Sequence, residues 1–140
     1  MIRPLASFTA NLEDAAQLIG ASLRGSNLAF TGATHVDTDV EPGDLFIAIP
    51  GARVHGATFI ESAMKRGAVA VLTDEAGLTY CKGIPALVVK DVRTAGALVA
   101  ASLYKYPTRD LTSIGITGTN GKTTVSTLLY QIFHAVGRDT

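Results

Sequence analysis

Between Ser113 and Leu129 the sequence reads SIGITGTNGKTTVSTLL, and these residue types suit the handling of a nucleotide's phosphates. Gly118 and Gly121 allow the backbone to curl so that successive N–H groups face one point. Lys122 carries an ammonium able to reach β and γ phosphates, and Thr123 offers a hydroxyl to Mg²⁺. The general phosphate-loop pattern is a glycine, four residues, then Gly-Lys-Ser/Thr. Gly121, Lys122 and Thr123 supply its end, but Ile116 stands where the first glycine belongs, so the strict pattern fails. The surroundings restore specificity. An apolar stretch, DLTSIGIT, leads in as an expected strand. Behind the loop Val125, Leu128, Leu129, Ile132, Phe133 and Val136 recur at helical spacing, with Gly137 placed to cap the helix. A helix starting near Lys122 adds the attraction of its N-terminal dipole for an anion. The loop therefore points to a nucleoside triphosphate with Mg²⁺.

Other chemistry-bearing residues are sparse. Three histidines (His35, His55, His134) and one cysteine are too scattered to suggest a metal site. His55 reads as a loop-shaping residue rather than a base, and His134 falls on the polar side of its helix. Cys81 is the lone cysteine among 140 residues, which rules out an internal disulfide and suits a reducing compartment. Twelve Lys and Arg balance twelve Asp and Glu, for a formal net charge of 0. That balance argues against a nucleic-acid partner or a basic membrane-surface protein. No apolar run approaches the ~20 residues of a membrane helix, and the first residues lack the apolar centre of a secretory signal. The expected setting is cytoplasmic.

The elements that must carry the loop read as follows. NLEDAAQLIGASL places Leu12, Ala15, Ala16, Ile19 and Leu23 at helical spacing, with Asn11 as N-cap. LAFTGATHVDTDV has strand-like parts broken by Gly32. EPGD, Glu41 to Asp44, is a turn that Pro42 pre-sets and Asp44 fixes. LFIAI is a buried strand and PGARVHG a loop. ATFIESAMKRG is a helix with Ile60, Ala63 and Met64 inward and Gly67 at its end. AVAVLT and ALVVK are short apolar strands. DVRTAGALVAASLYKYP is a helix that begins at Asp91 and is stopped by Pro107. Alternating strands and helices give an α/β class with a largely parallel or mixed sheet. A boundary is expected at YPTRD, separating a complete α/β domain over residues 1–107 from the opening of a second over 108–140, whose one strand, loop and helix cannot enclose a core.

The run GITGTNGKTT resembles the ATP loop of the Mur ligase family, where this variant spacing is typical. VEPGDLFIAIPGARVHGATFIESAMKRGAVAVLTD is similar to the N-terminal domain of the members that add the third residue of the peptidoglycan stem peptide. The resemblance covers nearly the whole chain. It implies a UDP-sugar-binding domain with a mixed sheet and flanking helices over 1–107. Over 108–140 it implies the first strand, phosphate loop and helix of a truncated ATPase domain. It also implies an N-terminal fragment of a three-domain ligase. In the family the glutamate carboxylate of UDP-N-acetylmuramoyl-L-Ala-D-Glu attacks the γ-phosphate of ATP. The amine of diaminopimelate or lysine then displaces phosphate from the acyl phosphate.

Residue by residue, the resemblance assigns ATP contacts to Gly118, Thr119, Asn120, Gly121, Lys122, Thr123 and Thr124, with Thr123 also toward Mg²⁺. Contacts to the UDP-N-acetylmuramoyl-dipeptide fall on His35, Asp37, Ala52, Arg53 and Val54. It assigns no catalytic residue within the chain. One departure matters: most members carry Asp-Ser-Arg where this chain has Val36, Asp37 and Thr38. A carboxylate in the serine's place accepts hydrogen bonds from uracil or ribose but repels phosphate. Arg53 can pair with the diphosphate or stand as a solvated loop residue. Two rival readings are a Mur ligase adding D-Ala-D-Ala and a non-catalytic sugar-nucleotide-binding module. Residues 111–140 are expected either to pack on another molecule, giving self-association, or to be more mobile than the first domain.

Overall fold

The computed structural model describes residues 8–138. The chain divides into two compact units, one running to Pro107 and one from Thr108 onward.

In the first unit, strand β1 (Ala10–Asn11) leads directly into helix α1 (Leu12–Ile19). Asn11 caps that helix, its side-chain oxygen accepting from the Asp14 N–H at 2.8 Å. The helix stops at Gly20, in the left-handed region with φ 64°, whose N–H returns to the Ala16 carbonyl. The helical periodicity that reaches Leu23 is therefore cut short. Gly20 reverses the chain, and Leu23 belongs instead to β2 (Ser22–Arg24). Strand β3 (Ala29–Phe30) pairs antiparallel with β1. Gly32, expected to break a strand, opens β4 (Gly32–Thr34), and the interruption falls at Thr31.

The EPGD turn delivers β5 (Asp44–Ile47). Asp44 is almost wholly buried and its carboxylate accepts from the Glu41 N–H at 2.8 Å, so it holds the turn it ends. A 3-10 turn (Gly56–Phe59) precedes α2 (Ile60–Lys65). Then come β6 (Ala70–Thr73), β7 (Ala86–Val88) and α3 (Val92–Leu103). Asp91 caps α3, accepting from the Thr94 N–H at 3.0 Å and the Thr94 hydroxyl at 2.6 Å. These two hydrogen bonds hold its carboxyl below the usual carboxylate range. The helix ends four residues before Pro107, not at it. Lys105 and Tyr106 turn the chain with positive φ, and Pro107 starts a short 3-10 turn.

The five-stranded sheet runs β2-β7-β6-β5-β4. Strands β4 to β7 are mutually parallel and β2 is antiparallel at one edge, so the sheet is mixed. Period-two alternation sorts its side chains to two faces. Leu45, Ile47, Leu72 and Leu87 meet Leu12, Ala15, Val92, Val99 and Leu103 of α1 and α3. Phe46, Ala48, Val71 and Ala86 meet Ile60 and Ala63 of α2. Burying a large apolar side chain completely contributes about 1.5–3 kcal/mol, and two covered faces explain why β5, β6 and β7 read as unbroken apolar runs.

Cys81 lies in the α2-side cluster. Burial pushes its thiol up, which leaves less thiolate at neutral pH. Labelling of native protein with a maleimide near pH 7.5 is expected to be roughly tenfold or more slower than in denaturant. Equal rates would show that the cluster opens readily.

The second unit holds helix α4 (Lys122–Ala135) and the segment leading to it. Here the expected strand is not formed. Residues 112–118 have no ladder partner among the described residues, and a strand exists only by its pairing. Leu111 and Ile114 are exposed, as are Val125, Leu128, Ile132 and Val136 in and just after α4. The helix begins where the loop predicts, and Gly137, at φ 73°, follows its end.

Candidate functional site

In a parallel sheet the loops leaving the carboxyl ends of the strands form the natural binding edge. Four of them meet here. The loop after β4 holds His35 and Asp37, and the loop after β5 holds Ala52, Arg53 and Val54. Because β4 and β5 pair in register, Gly32 to Asp44 and Thr34 to Phe46, their exits are neighbours. The topology thus brings the uridine-side candidates to one edge.

His35 is exposed, and Asp37 is half-buried at the start of a short 3-10 turn (Asp37–Asp39). The Ser62 hydroxyl of α2 donates to Asp37 at 2.7 Å, which orients the carboxylate. Residues 51–54 are all exposed and form a tight turn closed by the Gly51 N–H on the Val54 carbonyl at 3.2 Å and by a bridge between Pro50 and His55. Among the described residues no carboxylate forms an ion pair with Arg53. Its guanidinium therefore belongs to an exposed turn on the binding edge.

His55 shapes the exit of this turn. Its Nδ1 accepts from the Ala57 N–H at 3.0 Å, so the proton sits on Nε2, which donates to Asp74 at 3.0 Å. The Asp74 carboxylate, just beyond β6, also accepts from the Gly77 N–H at 2.8 Å. The ring lies so close to Gly77 that a Cβ there would stand 2.9 Å from His55 Cε1 and would overlap the buried Thr73 hydroxyl. The Asp37–Ser62 and His55–Asp74 pairs escape sequence reading. Their partners are 25 and 19 positions apart and follow no local pattern.

Further along the same edge, a cleft of about 780 Å³ lies between the exits of β6 and β7 and the start of α3. Asp74, Glu75 and Asp91 line it beside Lys90. That excess of carboxylates disfavours a diphosphate, so the anion-binding candidates are those of the β4 and β5 exits.

The phosphate loop belongs to the second unit. Gly118 has φ 151° and Gly121 φ 79°, so both hold backbone shapes that side chains resist. Gly121 is the N-cap of α4 and no side chain caps this end, which leaves the first-turn N–H groups pointing out of the helix. Lys122 folds back over the loop and donates to the Gly118 carbonyl at 2.6 Å. Ser126 and Thr127 both donate to the Thr123 carbonyl at 2.9 Å. An uncapped helix start, two glycines and a lysine over the loop fit a phosphate chain. For Mg²⁺ the fit is narrower. The described residues contain no group of three or more His, Cys, Asp or Glu that could hold a metal. The Thr123 hydroxyl would be one ligand, with phosphate oxygens and water supplying the rest, a mode common for this ion. No helix among the described residues is long and apolar enough to cross a membrane.

A profile of the Mur ligase family, catalytic domain, matches residues 36–106. The chain is 46% identical over 129 residues to the UDP-N-acetylmuramoyl-L-alanyl-D-glutamate--2,6-diaminopimelate ligase of Streptomyces coelicolor, covering 91% of this chain and 26% of that protein. It is 42% identical over 139 residues to the UDP-N-acetylmuramyl-tripeptide synthetase of Leifsonia xyli, covering 96% and 26%. The chain thus spans about a quarter of the length of these curated relatives. Among solved structures, MurF from Acinetobacter baumannii matches with a TM-score of 0.69 at 23% identity, over 95% of this chain and 29% of that one. At that identity the likeness concerns the fold alone. MurF ligase from Thermotoga maritima, solved in complex with ADP, matches with a TM-score of 0.55 at 25% identity, over 74% and 23%.

Proposed function

Because the chain belongs to the Mur ligase family, we propose that it serves an ATP-dependent ligase adding the third amino acid to UDP-N-acetylmuramoyl-L-Ala-D-Glu. The observation that carries the reading is the 46% identity across 91% of the chain to a ligase named for that reaction, set beside a binding edge of the right chemistry. The first unit, through His35, Asp37 and the turn Ala52 to Val54, holds the uridine-diphosphate end of the substrate. The second unit opens the ATP site with Gly118 to Thr124, and Thr123 is a ligand for Mg²⁺. ATP supplies the phosphoryl group that turns the glutamate carboxylate into an acyl phosphate, and the amine of diaminopimelate or lysine displaces phosphate. This chain's own residues bind and orient. Asp37, oriented by Ser62, accepts from uracil or ribose. Arg53 meets the diphosphate. Lys122 and the first-turn N–H groups of α4 neutralise and place the triphosphate, which is most of what phosphoryl transfer asks of a protein. A cytoplasmic setting follows from this chemistry.

Titration of UDP-N-acetylmuramoyl-L-Ala-D-Glu into the 140-residue chain, followed by amide chemical shifts, tests the reading. Shifts are expected at His35, Asp37 and Ala52 to Val54. Amide formation by the chain alone, with either amino acid, is expected at the protein-free level. Shifts confined to the phosphate loop, or none, would count against the substrate assignment.

A further inference from the structure

The turn at residues 51–54 lies exposed on the proposed substrate edge. All four residues are exposed, and the turn is closed by the hydrogen bond from Gly51 to Val54. Its position is therefore set from its ends. At the exit, His55 is fixed at four points. Its carbonyl takes the Thr58 N–H at 3.0 Å and the Thr58 hydroxyl at 2.8 Å. Its Nδ1 takes the Ala57 N–H, and its Nε2–H reaches Asp74 on the loop of the next strand. The first three contacts lie within the turn's own continuation. The last ties the turn to the loop after β6, while the Gly56 N–H on the Ile49 carbonyl and the bridge to Pro50 hold it to the end of β5. Asp74 is in turn anchored by the Gly77 N–H, and Gly77 has no Cβ where the ring sits.

We infer that His55 and Asp74 are positioning residues for the diphosphate end of the substrate. By tethering the exit of the 51–54 turn to the β6 loop, they hold Arg53 where it meets the diphosphate. This rests on the reading of the chain as a UDP-sugar-binding domain. The pair is well suited to the task. A neutral imidazole held in one tautomer by Ala57 donates a single directed hydrogen bond to a carboxylate, and an ionised acceptor makes such a bond stronger than a neutral one. Both side chains are about one-fifth exposed, enough cover for the bond to resist water.

The test compares uridine diphosphate with uridine as probes, by chemical-shift titration of the full 140-residue chain and its variants. His55→Asn keeps an acceptor for the Ala57 N–H but is too short to reach Asp74. Asp74→Ala removes the tether from the other side, and Asp74→Asn keeps the acceptor for both Gly77 and His55. Affinity for uridine diphosphate is expected to fall about five- to tenfold in His55→Asn and Asp74→Ala. It should return to within about twofold in Asp74→Asn. Affinity for uridine, which lacks the diphosphate, should change less than about twofold throughout. The imidazole ¹⁵N shifts should report the Nε2–H tautomer in the wild type, and in Asp74→Ala the Nε2 signal should move as its hydrogen bond to the carboxylate is lost. Equal losses for the two probes would mean that the pair merely supports the fold and would overturn the proposal. So would unchanged uridine diphosphate affinity in both tether-breaking variants. A wild type that binds neither probe would sink the UDP-sugar reading itself, and the positioning role with it.

Discussion

Gly56→Ala is expected to destabilise the first unit by about 3 kcal/mol, a fall in melting midpoint of roughly 12–24 °C for a unit of this size. A Cβ at this position would lie 2.7 Å from the Ile49 carbonyl oxygen and 2.8 Å from both Ala48 C and Ile49 N. All three are main-chain atoms just past the end of β5 and cannot step aside as a side chain would. Ala48 is fully buried, and the Ala48 N–H bonds to the Leu72 carbonyl at 2.8 Å, so moving this backbone breaks its seam with β6. Gly56 also donates its own N–H to the Ile49 carbonyl at 3.0 Å. The methyl would push the exit of the 51–54 turn off the sheet, so any folded remainder should bind uridine diphosphate poorly as well. Gly20→Ala is the control. Nothing lies within 4 Å of a Cβ there, and the cost is that of a left-handed backbone at φ 64°, about 1–2 kcal/mol. Calorimetric melting of both variants compares them. A Gly56→Ala midpoint no lower than that of Gly20→Ala would show that β5 and the turn do not approach so closely.

Gly56 also marks the reach of local sequence patterns. PGARVHG announces a loop, but not that its last glycine is pressed on the strand it left. Local rules did well where the physics is local. Asn11 caps α1 as expected because an acceptor three residues before an N–H is a short-range geometry, and Asp91, expected as the first residue of α3, is its cap for the same reason. The turn closed by Asp44 follows for the same reason. Strands β5, β6 and β7 were legible as apolar runs, since burial on both faces removes polar residues from each. The failures came where a pattern fits two structures. Leu23 is in phase with the helix over Leu12 to Ile19 and yet lies on β2, because Gly20 ends the helix before phase matters. DLTSIGIT is apolar enough for a strand, but a strand needs a neighbour, and no residue within the segment can supply one. The site divides likewise. The phosphate loop is one contiguous motif, whereas the His55–Asp74 tether joins loops after different strands and exists only once β5 and β6 are paired.

Lys122→Ala, in a full-length ligase carrying this sequence, is expected to lower ATP-dependent amide formation by about 10²–10³-fold while leaving the affinity for UDP-N-acetylmuramoyl-dipeptide unchanged. The ammonium carries three donors, and here it reaches back across the loop to the Gly118 carbonyl at 2.6 Å, with the Thr119 carbonyl at 3.5 Å. That places a full positive charge over the curl of backbone between Gly118 and Gly121, ahead of the uncapped N–H groups of α4. A triphosphate drawn to that helix end gains the charge where negative charge grows as its γ-phosphoryl group transfers. Alanine removes the charge and leaves the loop's glycines and helix start in place, so the lesion is electrostatic rather than structural. Arginine should not rescue it, because a planar fork cannot replace a compact ammonium at this range. The dipeptide substrate should be indifferent, since its candidate contacts, His35, Asp37 and Ala52 to Val54, belong to the other unit. Initial rates at saturating dipeptide, with ATP varied, measure the first part, and titration of the dipeptide without ATP measures the second. A variant within about tenfold of wild-type turnover would remove Lys122 from phosphate handling. A matching loss of dipeptide affinity would instead show that the two units share one substrate site and that the division of labour at Pro107 is wrong.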